Sequence, residues 1–285
     1  MNDQERMMYY LLGRLHKIVS KIGQKVVNVA RSIYYQQYLL KFGERDDDIY
    51  IATYPKSGTT RMQMLVYQLL TDGSMDFEHI YDVSPWIRNE ALLKKEPREL
   101  PSPRIIKSHE RYAQFSKSMK GRIIFVMRDG KDVAASMFHQ QRNYNKPNLE
   151  FATFFKHNYV KPDKMNYFTF MKAWLRNSKK LPILYIRFED MIADFDAVVY
   201  KVAAFLQVEV PPDALPRIRE RCSFDFMKAH EAKFGEQPPK KKERIYNQFI
   251  RKGKAGEGQA LFTPSQHQQY EERFAKHLKQ FGFYE

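Results

Sequence analysis

Ile49-Tyr50-Ile51-Ala52-Thr53-Tyr54-Pro55-Lys56-Ser57-Gly58-Thr59-Thr60 is the stretch on which the fold turns. Its apolar run, led in by Asp46 to Asp48 and stopped by Pro55, has the length and character of a strand buried on both faces. Beyond the loop, Met62, Leu65, Val66, Leu69 and Leu70 recur at helical spacing until Asp72-Gly73 ends the pattern. Working outward, short strands are expected at 104–107, 123–127 and 184–188, separated by helix-length segments, and a closing helix at 265–281. This alternation predicts an α/β fold: a single P-loop-like domain with a central, mainly parallel sheet flanked by helices on both faces.

The loop between the first strand and its helix suits an anion. Backbone N–H groups at a helix start face outward there with no intrahelical acceptor. Gly58 permits close backbone approach, Lys56 supplies a mobile charge, and Ser57, Thr59 and Thr60 offer hydroxyl donors. An ordinary strand-to-helix turn with a Ser or Thr cap would read the same way. The nucleoside-triphosphatase pattern GxxxxGK[ST] is not met, because Lys56 precedes Ser57-Gly58.

Composition narrows the partners. The 285 residues are 43% hydrophobic with 21 Phe and 18 Tyr, enough to fill one large core. Lys and Arg total 48 against 33 Asp and Glu, a net charge of +15 that favours an anionic partner. One cysteine, Cys222, leaves no internal disulfide and no cysteine-based metal cluster, so a cytoplasmic location is the default expectation, with no signal peptide read at the start. Residues 1–44 are expected to form a helical extension to a main domain at 45–285. There Leu11, Leu12, Leu15, Ile18, Val19, Ile22, Val26 and Val29 recur at helical spacing among Arg14, Lys17, Lys21 and Lys25. The simpler expectation packs that stripe on the main domain; the alternative is a peripheral contact with a membrane surface. The run from Gln237 to Arg244 reads as an exposed loop.

YPKSGTT after a strand resembles the 5′-phosphosulfate loop of the cytosolic sulfotransferase family, whose donor is 3′-phosphoadenosine 5′-phosphosulfate (PAPS). The family's second signature, RKGxxG, stands as Arg251-Lys252-Gly253-Lys254-Ala255-Gly256, about 200 residues downstream. Lys107-Ser108-His109 is similar to the family's Lys-Thr-His, and Arg128, Asp129, Asp132 and Ser136 to its R-[DN]-x-x-D-x-x-x-S pattern. Arg187-Phe188-Glu189-Asp190-Met191 resembles its [KR]-[YF]-E-D-[ML] strand end, and Ser223-Phe224 its Ser-Phe pair beside the adenine. The resemblance runs from about Asp48 to Thr263 and implies a sulfotransferase using PAPS as co-substrate, without a metal.

On that resemblance His109 is the catalytic base, an imidazole being the side chain that titrates near neutrality, and Lys56 and Lys107 stabilise charge on the leaving group. Donor-binding positions are then Lys56, Ser57, Gly58, Thr59, Thr60, Arg61, Arg128, Ser136, Phe188, Cys222, Phe224, Arg251, Lys252 and Gly253, with Arg128 and Ser136 on the 3′-phosphate. Departures are Arg61 at a position often held by a stacking tryptophan, Cys222 for threonine, and Glu257-Gly258 for Asp-Trp. The family's dimer motif would fall on Gln259, Thr263, Pro264 and Gln268, where only Thr263 matches, which leaves the oligomeric state open. Ser84-Pro85-Trp86-Ile87 resembles a segment at the acceptor pocket, and Phe138, Tyr144, Phe151 and Phe154 are candidates for an apolar cleft, suiting a small-molecule acceptor such as a phenol, an apolar, steroid-like alcohol or a lipid; side-chain counts do not separate these from an amine or a sugar. Two rivals stand beside this reading: a P-loop small-molecule kinase with Asp129 near magnesium, and a basic nucleic-acid-binding protein. No nucleic acid is expected, since no recognised module is present.

Overall fold

A computed structural model describes residues 3–115, 120–144, 146–161, 166–177, 180–235, 249–251 and 253–282. The Gln237–Arg244 run and Lys252 lie outside the described residues, as does the Tyr144 side chain. The chain divides into two compact units, 1–44 with 86–99, and 45–85 with 100–285.

In the larger unit, β1 (Ile49–Thr53), β2 (Ile105–Ser108), β3 (Arg122–Met127) and β4 (Ile183–Arg187) form one sheet in the order β2-β1-β3-β4. Every pairing is parallel. All four expected strands are thus present, each within two residues of the bounds read from hydrophobic runs. β1 is buried along its whole length, which is why its sequence is continuously apolar rather than alternating. The edge strand β4 is mostly half-buried.

The helices flank this sheet. α2 (Thr59–Leu70) follows β1, α3 (Gly130–Tyr144) follows β3, α4 (Tyr167–Arg176) leads to β4, and α5 (Phe188–Ala193) and α6 (Phe195–Leu206) follow it. Further along lie α7 (Ala214–Arg221), α8 (Phe224–Ala229) and the closing α9 (Pro264–His277). Phe125 of β3 stacks on Trp174 of α4 with ring centroids 4.6 Å apart, the centre of an aromatic core that also takes in Tyr54 and Phe170. At the amino ends of the strands, Arg104 grips Asp48 through two 2.7 Å bonds, both side chains almost fully buried. A paired buried charge of this kind fixes strand register, and losing one partner costs about 3–5 kcal/mol.

The strand order decides where a site can lie. The chain leaves β1 for β2 on one side and then crosses to β3 on the other, so a crevice opens at the carboxyl ends of β1 and β3. The phosphate-type loop, Lys107-Ser108-His109, and Arg128 all emerge at that end.

The smaller unit is built on α1 (Asp3–Phe42), a helix of 40 residues. Its last turns pack on the segment 86–99: Tyr38 donates to Glu90 at 2.5 Å, Arg88 lies over the Tyr35 ring at 4.0 Å, and Lys41 pairs with Glu96 at 2.7 Å. The stripe expected to pack is, from Met7 to Val29, exposed. The segment 86–99 reaches only the carboxyl-terminal turns, so packing buries Tyr35, Tyr38 and Phe42 and leaves the preceding apolar positions uncovered. Among the described residues, no helix is long and apolar enough to cross a membrane.

Candidate active site

The loop after β1 is bent by two residues in the left-handed region, Lys56 at φ 70° and Gly58 at φ 95°. A left-handed lysine costs about 1–3 kcal/mol and persists where the surroundings demand it. Gly58 is required twice over, since a Cβ there would stand 2.5 Å from the Phe188 ring of α5. Ser57 is buried, and its Oγ has no hydrogen-bond partner among the described residues. An unsatisfied buried hydroxyl in a sharply bent loop at a helix start fits an anion that would complete it. The Lys56 ammonium lies 4.3 Å from the ring centroid of Phe249.

Beside this loop stands His109. Its Nδ1 is 3.0 Å from the Thr53 carbonyl oxygen and 3.1 Å from the Thr53 hydroxyl, and that hydroxyl is 2.7 Å from Thr59 Oγ1. A carbonyl only accepts, so Nδ1 carries the proton and Nε2 of the neutral ring keeps its lone pair. Burial first, then the positive charge of Lys107 and of Lys56, push the imidazole down to about 3, against the Thr53 carbonyl, which raises it. Parallel register explains the meeting: Ala52 pairs with Ser108, so the next residue of each strand, Thr53 and His109, comes side by side. Lys107 is buried on β2, donates to the Tyr81 hydroxyl at 2.7 Å and lies over the same ring at 4.8 Å.

Arg128, directly after β3, ties the remaining pieces together. It donates to the Lys56 carbonyl at 3.3 Å and to the Lys254 carbonyl at 2.9 Å, and its guanidinium lies 4.3 Å from the centroid of the Phe188 ring. Burial lowers its pKa while Asp132, 3.6 Å away, Glu189, Asp129 and Glu257 raise it. Its Nε is buried with no hydrogen-bond partner among the described residues. The two motifs separated in sequence therefore meet on one guanidinium.

Asp132 clamps the carboxy-terminal loop, accepting from the Gly256 and Gly258 amides at 2.8 and 2.7 Å. A Cβ at Gly258 would collide with the Lys131 backbone, and one at Gly253, where φ is 63°, with the Phe224 ring. Asp129 accepts from the amides of Lys131 and Asp132 at 2.8 and 3.0 Å, the helix-start role its position predicts. Its own amide donates to Glu189, and burial pushes both carboxyls above their ordinary values. Arg251 is paired with Glu257 at 2.6 Å, so the departure Glu257 is what engages the second signature's arginine.

The other expected positions fall as follows. Thr60 is half-buried on the first turn of α2. Ser136 is half-buried on α3, one turn beyond Asp132 on the same face. Arg61 donates to the Cys222 carbonyl at 2.9 Å and lies 4.6 Å from the Phe195 centroid, while burial raises the Cys222 thiol to about 12. Phe138 and Phe154 are buried in a cluster with Phe151, Phe155 and Phe262, as core aromatics. Ser84 is fully buried and holds Gln63, and Pro85 accepts from the Lys107 amide at 2.9 Å. Where the dimer motif would fall, Thr263 instead caps α9, with Pro264 in its first turn. Thr53, Tyr81 and Phe249 were not foreseen. Thr53 lies between the apolar run and the loop and carries no motif of its own, and no local pattern announces an aromatic that reaches a lysine 26 residues away.

Residues 46–282 match the family described as the sulfotransferase domain. Sulfotransferase 1B1 of Canis lupus familiaris is 30% identical over 257 residues, covering 84% of this chain and 86% of that one. Sulfotransferase 1E1 of Mus musculus is 29% identical, with 84% and 85% covered. Among solved structures, mouse sulfotransferase SULT7A1 complexed with PAP superposes with a TM-score of 0.65 at 24% identity, covering 87% of this chain and 89% of that one. Retinol dehydratase, in complex with androsterone and inactive cofactor PAP, gives 0.66 at 23% identity, over 86% and 85%. At those identities the structural likeness speaks for the fold. The family match over most of the chain goes further: this protein belongs to the sulfotransferase family.

Proposed function

We propose that this protein moves a sulfuryl group from PAPS to the hydroxyl or amine of a small molecule, with His109 as general base and Lys56 and Lys107 stabilising the charge that develops on the departing phosphate. The observation that supports it best is the imidazole held by the Thr53 carbonyl through Nδ1, between two lysines, at the carboxyl ends of β1 and β2. Ser57 Oγ and Arg128 Nε, both buried and unpartnered among the described residues, fit a donor rich in anionic oxygens. Lys56, Ser57, Gly58, Thr59 and Thr60 would hold its 5′ end. Arg128 and Ser136, with Arg251, Lys252 and Gly253, would hold the 3′-phosphate, and Arg61, Phe188, Cys222 and Phe224 would line the adenosine. When bound, PAPS supplies the sulfuryl group and leaves as 3′-phosphoadenosine 5′-phosphate (PAP).

The acceptor O–H or N–H gives its proton to His109 Nε2 as its heteroatom bonds to sulfur. An imidazole pushed down to about 3 is neutral at working pH, though weak as a base. The same lysines that depress it are the ones an anionic donor would neutralise, so donor binding raises the base toward the range in which it accepts a proton. Base strength would then be coupled to the presence of the donor.

A thermal-shift comparison tests the reading. PAP without metal at a hundred times its Kd is expected to stabilise the protein by about 2.7 kcal/mol, and ATP with magnesium to do much less. The reverse order would assign a kinase instead. Sulfate transfer from labelled PAPS across a panel of phenols, alcohols and amines then identifies the acceptor class.

A further inference from the structure

From Arg6 to Phe42 the chain contains no aspartate or glutamate, while Arg6, Arg14, Lys17, Lys21, Lys25, Arg31 and Lys41 are all basic. The same stretch is helical, and Met7, Met8, Leu11, Leu12, Leu15, Ile18, Val19, Ile22, Val26, Val29 and Ile33 are each more than half exposed. At 3.6 residues per turn Leu11, Leu12, Leu15, Ile18, Val19, Ile22, Val26 and Val29 fall within an arc of about 120°, and Val27 stands about 60° outside it. Arg14, Lys17, Lys21 and Lys25 fall along one edge of that arc, and Arg6 and Arg31 continue around the back. At 1.5 Å per residue the apolar face from Met7 to Ile33 is roughly 40 Å long.

We infer that α1 is a membrane-surface helix, which lies flat on an anionic bilayer with its aliphatic arc in the headgroup boundary and its basic edge against lipid phosphates and carboxylates. The charge pattern chooses this occupant. A second copy of the helix would bring seven more lysines and arginines and, from Arg6 to Phe42, no acidic residue to pair with them across the seam. One heptad frame pairs Met8, Leu15, Ile22 and Val29 with Leu12, Val19, Val26 and Ile33, so a helix pair is the rival occupant that the oligomeric state decides. An anionic headgroup layer supplies the acceptors that the basic edge lacks on α1 itself, and long lysine stems reach past the acyl boundary to it. The inference stands apart from the sulfuryl-transfer proposal, since no residue of the site lies on α1.

The test uses the full chain and vesicles of phosphatidylcholine, alone or mixed with phosphatidylserine. Flotation is expected to recover the protein with the mixed vesicles only, and binding should weaken as salt is added. Each basic side chain near an anionic surface contributes about fivefold, so K17Q/K21Q/K25Q should weaken binding on the order of a hundredfold. L15Q/I18Q/I22Q should abolish it with the cooperative unfolding of the rest of the protein unchanged. Equal recovery with both vesicle types, or none with either, overturns the inference. So does a stable dimer in sedimentation equilibrium that L15Q/I18Q/I22Q dissolves, because the face then belongs to a second copy. The unmodified protein's lipid preference and salt dependence decide the matter even if a variant disturbs the helix.

Discussion

His109 shows how few contacts set a group's chemistry. One carbonyl fixes its tautomer, and burial with two lysines keeps it neutral. Replacing it by asparagine should lower kcat roughly 100- to 10,000-fold while PAP still stabilises the protein, as read by steady-state kinetics and thermal shift. The acid limb of kcat/KM, which reports the free enzyme, should lie far below 6.5, whereas that of kcat lies higher because the bound donor offsets Lys56 and Lys107. Thr53 is a positioning residue: its hydroxyl lies between Thr59 and the ring. Thr53→Val should cost about tenfold in kcat, the worth of roughly one hydrogen bond, and displace that acid limb. Thr53→Ser should restore both, an outcome that a loss of packing alone would not produce.

At the scale of elements, backbone shape decides which side chains can approach. Gly58 and Gly253 each take a left-handed conformation and each leave room for an aromatic ring, Phe188 and Phe224. Alanine at either position combines backbone strain with a displaced ring, for a loss of about 1–3 kcal/mol in urea titrations. Affinity for PAP, measured by calorimetry, should fall at least tenfold. Gly256, also left-handed but with open space where a Cβ would sit, should pay only the strain. The contrast between Gly253→Ala and Gly256→Ala separates the ring contact from the backbone effect.

For the whole molecule, the same depressed imidazole links function to acid stability. A histidine whose folded pKa lies below its unfolded value takes up a proton on unfolding, so its contribution is complete above 6.5 and is lost as the pH falls toward about 3. Asp129 and Glu189 act in the opposite sense, since burial raises their carboxyls and protonation then favours the folded state. Comparing the protein with His109→Asn isolates the first effect. Between pH 6.5 and 3 the histidine protein should lose more stability than the variant, in chemical denaturation followed at several pH values. Equal slopes would show that the ring is not held neutral in the folded protein.

Periodicity and punctuation in the sequence determined the four strands, the helix after the first, the long amino-terminal helix and the place of the loop after the first strand, because each depends on residues close together in the chain. Burial of a whole strand writes a continuous apolar run, and a left-handed turn calls for glycine, so both are legible locally. Only the tertiary structure decided that Arg128 would bridge Lys56 and Lys254, that Asp132 would hold the Gly256–Gly258 amides, and that Thr53 would set the tautomer of His109. Those contacts depend on strand order and register, which bring together residues 56 to 126 positions apart and leave no mark on either neighbourhood. The exposed stripe of α1 was likewise undecided by sequence, since an amphipathic pattern states that a face is apolar and says nothing of what covers it.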